Sequence, residues 1–306
     1  THMRASVKIR KEAERVGEQV MVHLPVPAAC LQNSDIEIIF CFPAEAVLAS
    51  EDADQRTICF KTKLEPDQTF SVEYAFTYQV KYHEPDPAVA SSDQPDFHTG
   101  ELAPHILFTP YLKALLTEII GEETNPVKKA RMIYDYVTTH VMYSYMRNYF
   151  ALPCIPEYAA VNLKGDCGVQ ALLFITLCRM AGIPARWQSG LYATKYYTGC
   201  HDWAQFYIAP YGWLFADCSF GGSAWRSGNM ERWNYYFGNL DIFRMVANSE
   251  IQSEFDPPKR WLRIDPIDNQ RGEVEYEDGG LKGTDLVFTE ELISMADLTQ
   301  GSGQTR

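Results

Sequence analysis

The sequence predicts an α+β protein in which a small antiparallel β-sandwich precedes a core of helices and an antiparallel hairpin. Three observations predict it. Residues 18 to 83 carry runs rich in β-branched and aromatic residues, with no helical period between them. A stretch rich in Pro, Asp and Ser follows, residues 83 to 104. Beyond it, apolar residues recur at helical spacing before strand-like runs return near residue 185.

The elements follow in order. "EQVMVHLPVP", "DIEIIFCFP", "RTICFKTKL" and "TFSVEYAFTYQVKYH" read as strands separated by turn-prone pieces. In the last of these, Phe70, Val72, Tyr74 and Phe76 alternate onto one face. Residues 110 to 120 read as a helix. A second starts at Asn125, which can cap it, with Pro126 in the first position and Ala130, Ile133, Tyr134, Val137 and Val141 on one face. A third is "GDCGVQALLFITLCRMAGIPAR", capped by Asp166 and stopped at "GIP". "ARWQSGLYA" is a strand, and "HDWAQFYIAPYGWLFADCS" is a hairpin turning near "APYG". The chain beyond residue 221 is aromatic and irregular until a short β-like segment, "GEVEYEDGG" to "TDLVF". These readings divide the chain into a β-sandwich-like domain (1–97), a second domain (98–300) and a flexible tail (301–306).

Composition narrows the function classes. The chain has 306 residues, 46% hydrophobic and 22% charged, enough to bury a sizeable core. A net charge of -13 disfavours a general nucleic-acid binder. No apolar run reaches the length of a membrane span, so no membrane partner is expected. The opening "THM" reads as a cloning remnant. Eight cysteines are spread without a Cys-x-x-Cys pair, so neither a zinc site nor a disulfide framework is expected. Reduced thiols and no visible signal peptide lead to a cytoplasmic expectation.

One of those cysteines is placed for chemistry. Cys167 opens the third helix, where the partial positive charge of a helix start favours a thiolate. Most cysteines in apolar helices are packing residues, and Cys178 reads as one. A thiolate catalyst also needs a base and a group to orient it. His201 opens the first strand of the hairpin and Asp217 closes the second. With a turn near residues 209 to 211, they become opposite or diagonal neighbours on one face. If the Cys167 helix packs on that face, the three residues meet. Cys200 and Cys218 fall on the other face, as core residues or a close pair. A zinc site shared with His201 is disfavoured for the same reason.

The order of these segments, "GDCGVQALLFITLCRMAGIPAR" then "HDWAQFYIAPYGWLFADCS", resembles the transglutaminase-like superfamily, a branch of the papain-like cysteine enzymes. The resemblance implies a papain-like core in the second domain. It implies Cys167 as nucleophile, His201 as base and acid, and Asp217 as the residue orienting the imidazole. Bacterial members often carry an N-terminal β domain, which the segment "VHLPVP" is similar to. Where the family often has Glu two residues after the Trp, this chain has Gln205.

The implied chemistry is acyl transfer from a peptide or protein amide through an acyl-enzyme, with no cofactor and no metal. Water as acceptor makes a hydrolase, the favoured reading. A lysine-like amine makes a transglutaminase, and an inactive binding module is the remaining alternative. The oxyanion needs donors. The Cys167 backbone N–H is one, and Tyr143, Tyr145, Asn148 and Trp203 are side-chain candidates for the oxyanion or substrate. The aromatic run 225 to 243 either walls the cleft or packs a loop onto the core. Substrate identity and oligomeric state are not encoded in any motif.

Overall fold

The computed structural model describes residues 1–298, and the expected tail, 301–306, lies outside the described residues. The chain begins with strands β1 (His2–Ile9), β2 (Gln19–Pro25), β3 (Asn33–Phe42), β4 (Val47–Leu48), β5 (Thr57–Lys63) and β6 (Thr69–Tyr78). Then come α1 (Pro110–Ile120), α2 (Pro126–His140), β7 (Met142–Tyr143), a single 3-10 turn (Tyr149–Ala151), α3 (Ile155–Asn162), β8 (Lys164–Gly165) and α4 (Cys167–Met180). They are followed by β9 (Ala185–Thr194), β10 (Tyr197–Ile208), β11 (Gly212–Ala216), α5 (Cys218–Arg226), α6 (Met230–Tyr235), β12 (Phe237–Gly238) and β13 (Arg244–Asn248). The last strands are β14 (Glu273–Tyr276), β15 (Gly279–Gly280) and β16 (Leu286–Ser294).

Two sheets form the sandwich, in the orders β16-β1-β6-β3 and β15-β14-β2-β5-β4. Phe70, Val72, Tyr74 and Phe76 all point into its core, as the alternation predicts. Two expectations need correction. The boundary that carried the second domain to residue 300 is too simple. β16 pairs along the whole of β1, and β14 pairs with β2, so the C-terminal strands complete the N-terminal sandwich. The reason is an edge: without β16 and β14, β1 and β2 would present unpaired backbone groups. The "THM" reading also fails in part. His2 and Met3 belong to β1, and Met3 is fully buried beside Ala5, Val7 and Ile9.

The remaining sheet has the order β12-β11-β10-β9-β13, and α4 packs against it. The α4 helix is apolar around nearly its whole circumference and buried along its length. Phe174 meets Phe206 edge-on at 5.6 Å. α2 starts as its sequence predicts: the Asn125 side chain accepts from the Val127 and Lys128 N–H groups. β9 belongs to two cores at once. Ala185 and Trp187 face the helical core, while Leu191 and Ala193 pack into the sandwich core with Met245 and Ala247 of β13. The sandwich therefore rests on the same strands that build the site.

Leu286, in the returning strand β16, is buried in the sandwich core. Leu286→Ala is expected to cost about 2–5 kcal/mol in urea unfolding. A cost near that of an exposed substitution, roughly 0.5 kcal/mol, would show the C-terminal strands to be peripheral.

Candidate active site

Cys167 is the first residue of α4, and Asp166 caps the helix by accepting from the Val169 N–H at 3.1 Å. The Tyr149 hydroxyl donates to the same Asp166 oxygen at 2.5 Å. The next residue is a glycine for a steric reason. A Cβ at Gly168 would collide with the Tyr149 hydroxyl and crowd the Asp202 carboxylate. The Cys167 thiol donates to Asp202 Oδ2 at 3.1 Å. The sulfur thus lies against the side chain of the residue that follows His201.

The electrostatics reverse the expectation drawn from the helix start. Burial pushes the Cys167 thiol well above its ordinary range, and the neighbouring Asp202 and Asp166 push it further. A helix N-terminus favours a thiolate only where water or a cation shares the charge. Here the sulfur is dry and faces carboxyls.

The hairpin register pairs Ala204 with Ala216, Phe206 with Leu214 and Ile208 with Gly212. Extending it one step sets Asp217 diagonal to His201, and the side chains meet: His201 Nε2 to Asp217 Oδ2 is 2.7 Å. Asp217 is fully buried and also caps α5, accepting from the Phe220 N–H at 2.9 Å. Arg244 of β13 donates to the same Oδ2 at 2.7 Å and to Asp241 at 2.9 Å. Burial alone would raise the Asp217 pKa. The His201 and Arg244 charges, with their hydrogen bonds, outweigh it and hold the carboxyl far below the usual range. Arg244 itself is held above its ordinary value, against its own burial, by Asp217 and Asp241. Since Asp217 is an acceptor, the His201 Nε2–H is the donor of that bond. The ring stacks on Phe220 at 4.4 Å between centroids.

The helix does not pack on the face that carries His201. The α4 core takes Ala204, Phe206 and Ile208, whereas Trp203, Phe215, Leu240 and Val246 form a separate cluster on the other face. Among the described residues no hydrogen bond joins Cys167 to His201. The sulfur instead reaches Asp202, buried in mid-strand just before the part of β10 that pairs with β11. The sites of Cys200 and Cys218 agree with a packing role, and no disulfide forms.

His201 opens onto a cleft of about 630 Å³, walled by Met142, Tyr143, Tyr192, Tyr197 and Phe220. Of the side-chain donors expected for an oxyanion, Tyr143 shares the cleft with His201 and stands near the Cys167 sulfur. Tyr145 is 93% exposed, and Asn148 is exposed before the 3-10 turn; neither bonds Cys167 among the described residues. Trp203 is corrected outright: it is fully buried and its indole N–H donates to Gln188 at 2.7 Å. The aromatic run 225 to 243 mostly packs. Trp233 stacks on Tyr134 and donates to Thr138. Arg244, Asp202, Gln270 and Tyr149 were not singled out from sequence. Asp202 stood next to His201, but the pleat points it away from the imidazole. Nothing in the sequence marks Arg244, 27 positions after Asp217.

Behind Asp202 stands a group of buried carboxyls. Asp268 accepts from Ser189 and from the Trp187 indole at 3.2 Å. Burial raises Asp202, Asp265 and Asp268, and their mutual repulsion adds to it for Asp202 and Asp265; Asp265 is pushed up to about 7.

The comparisons agree with this architecture. The family model of the transglutaminase-like superfamily matches residues 113–218, which span α4, His201 and Asp217. Over these residues the chain is similar to transglutaminase-like domains. It is 28% identical to an uncharacterized protein of Haemophilus influenzae, the match covering 37% of this chain and 37% of the relative. A solved structure from Cytophaga hutchinsonii, provisionally assigned as a cysteine protease, shares the fold with a TM-score of 0.58 at 17% identity. That match covers 97% of this chain and 92% of the other. The periplasmic domain of TgpA from Pseudomonas aeruginosa aligns with a TM-score of 0.40 at 13% identity, over 72% of this chain and 75% of the other. No helix among the described residues is long and apolar enough to cross a membrane.

Two measurements probe the electrostatics. Arg244→Met leaves Asp217 buried with one cation fewer, and is expected to cost about 3–5 kcal/mol in urea unfolding. The second concerns Asp265. Its folded pKa lies above its unfolded value, so the folded chain holds the proton longer. The stability from that proton is full below about pH 4 and is lost as pH rises through about 7. The melting temperature of Asp265→Asn should therefore gain on that of the parent chain from about pH 5 to pH 8. A constant difference across that window contradicts the assignment.

Proposed function

We propose that this protein is a cysteine hydrolase of peptide or protein amides, acting through Cys167, His201 and Asp217. The observation that carries the reading is the His201–Asp217–Arg244 array, buried and hydrogen-bonded, whose imidazole borders an open cleft and whose chain neighbour Asp202 holds the Cys167 sulfur. Asp217 and Arg244 fix the ring and its tautomer, leaving Nδ1 as the base. Substrate enters the cleft, the sulfur turns toward its carbonyl, and its proton passes to His201 Nδ1 as the C–S bond forms. Catalytic hydrogen bonds often shorten only when substrate binds. The imidazolium then protonates the leaving amine, giving the acyl-enzyme. The Cys167 backbone N–H at the start of α4 and the Tyr143 hydroxyl are the donors for the oxyanion. The openness of the cleft at His201 favours water as the second acceptor, and hence hydrolysis.

The test is turnover of an amide library, with a primary amine also offered. Cys167→Ala is expected to abolish turnover and keep the fold, since Ala suits a helix start. His201→Ala should lose about 10²–10⁴-fold, the usual worth of a positioned acid–base group. Asp217→Asn should also be severe, because an amide cannot hold the imidazolium. Product amine without incorporation of the offered amine supports hydrolysis; incorporation shifts the assignment to acyl transfer. Equal turnover by the parent chain and Cys167→Ala would end the nucleophile assignment.

A further inference from the structure

The hydrogen bond between Cys167 and Asp202 has no role in the triad. Asp202 is 7% exposed, and no lysine, arginine or histidine forms an ion pair with it among the described residues. Its side chain has two hydrogen-bond partners: the Cys167 thiol on Oδ2 and the Gln270 amide on Oδ1. Gln270 also donates to the His201 carbonyl at 3.2 Å, so one amide spans the His201–Asp202 segment. The arrangement is built. Gly168 is the residue whose missing Cβ lets Asp202 approach.

We infer that Asp202 is a positioning residue that holds Cys167 as a reserve thiol, turned toward the strand edge, from which the approaching electrophile must draw it. The inference deepens the proposed function and takes Cys167 as its nucleophile. A dry pocket lined by carboxyls, with no cation beside them, is a poor place for a thiolate. The thiol proton therefore stays on sulfur and points at Asp202 Oδ2. When the sulfur turns, that proton goes to His201 Nδ1 and the new bond forms at carbon, leaving Asp202 on Gln270. Two carboxyls face the sulfur, Asp166 before α4 and Asp202 on β10, with the neutral Tyr143 phenol of β7 nearby. Asp268 and Asp265, in the segment before β14, press on Asp202.

Asp202→Asn in the full chain tests this. The readout is the iodoacetamide rate at Cys167, followed by peptide mapping from about pH 6 upward through the alkaline titration of the thiol. The midpoint is expected to move down. Each unit gives about tenfold more thiolate below the midpoint, offset by weaker nucleophilicity, so the net gain near neutrality is about threefold per unit. Gln270→Ala, which frees Asp202 from its tether, should move the same way by less. Should Asp202→Asn fail to fold by circular dichroism, Gln270→Ala decides. A midpoint unchanged or raised in the folded variants overturns the inference. Alkylation needs no turnover, so a chain that cleaves no amide yet shows the shift would lose the proposed function and keep this one.

Discussion

Asp217 is one carboxylate shared by an imidazole and a buried guanidinium, and the site depends on that sharing. A lone carboxylate at zero exposure would take up a proton. With Arg244 and His201 on one oxygen and the α5 start on the other, it stays charged. The same contact ties β13 to the end of the hairpin. β13 flanks β9, and β9 carries side chains into both cores. A change at Arg244 is thus felt by the imidazole and by the packing of the sandwich against the helical domain.

Neighbouring residues of one strand live in opposite electrostatic settings. His201 faces a depressed carboxyl and an arginine; Asp202 faces a thiol, an amide and further carboxyls. The pleat separates them by only one peptide bond. The first setting holds an imidazole in one orientation. The second disfavours a thiolate, so the Cys167 thiol keeps its proton against Asp202.

Much of this was legible in the chain. Local signals with a local cause read through well: the Asn125 and Asp166 caps, the alternation in β6, the helical face of α2, and the parity that puts His201 and Asp217 within reach. Two short helices after residue 217, α5 and α6, were missed. Their aromatic sequence has weak helical preference, and tertiary packing of Trp233 and Tyr236 decides them. The return of β14 and β16 was equally hidden, since strand pairing across the full length of a chain leaves no local trace.

The sequence by itself determined the types of the longer elements, the capping of the Cys167 helix and the pairing of imidazole with carboxylate. Each follows from residues close along the chain or related by a two-residue period. Only the tertiary structure decided which face of the hairpin receives α4, that Arg244 completes the Asp217 pair, and that Asp202 rather than His201 holds the resting sulfur. Those outcomes turn on burial and on charges brought together from distant segments. The cost of an ionised group depends on its dielectric surroundings, and these exist only once the chain has folded.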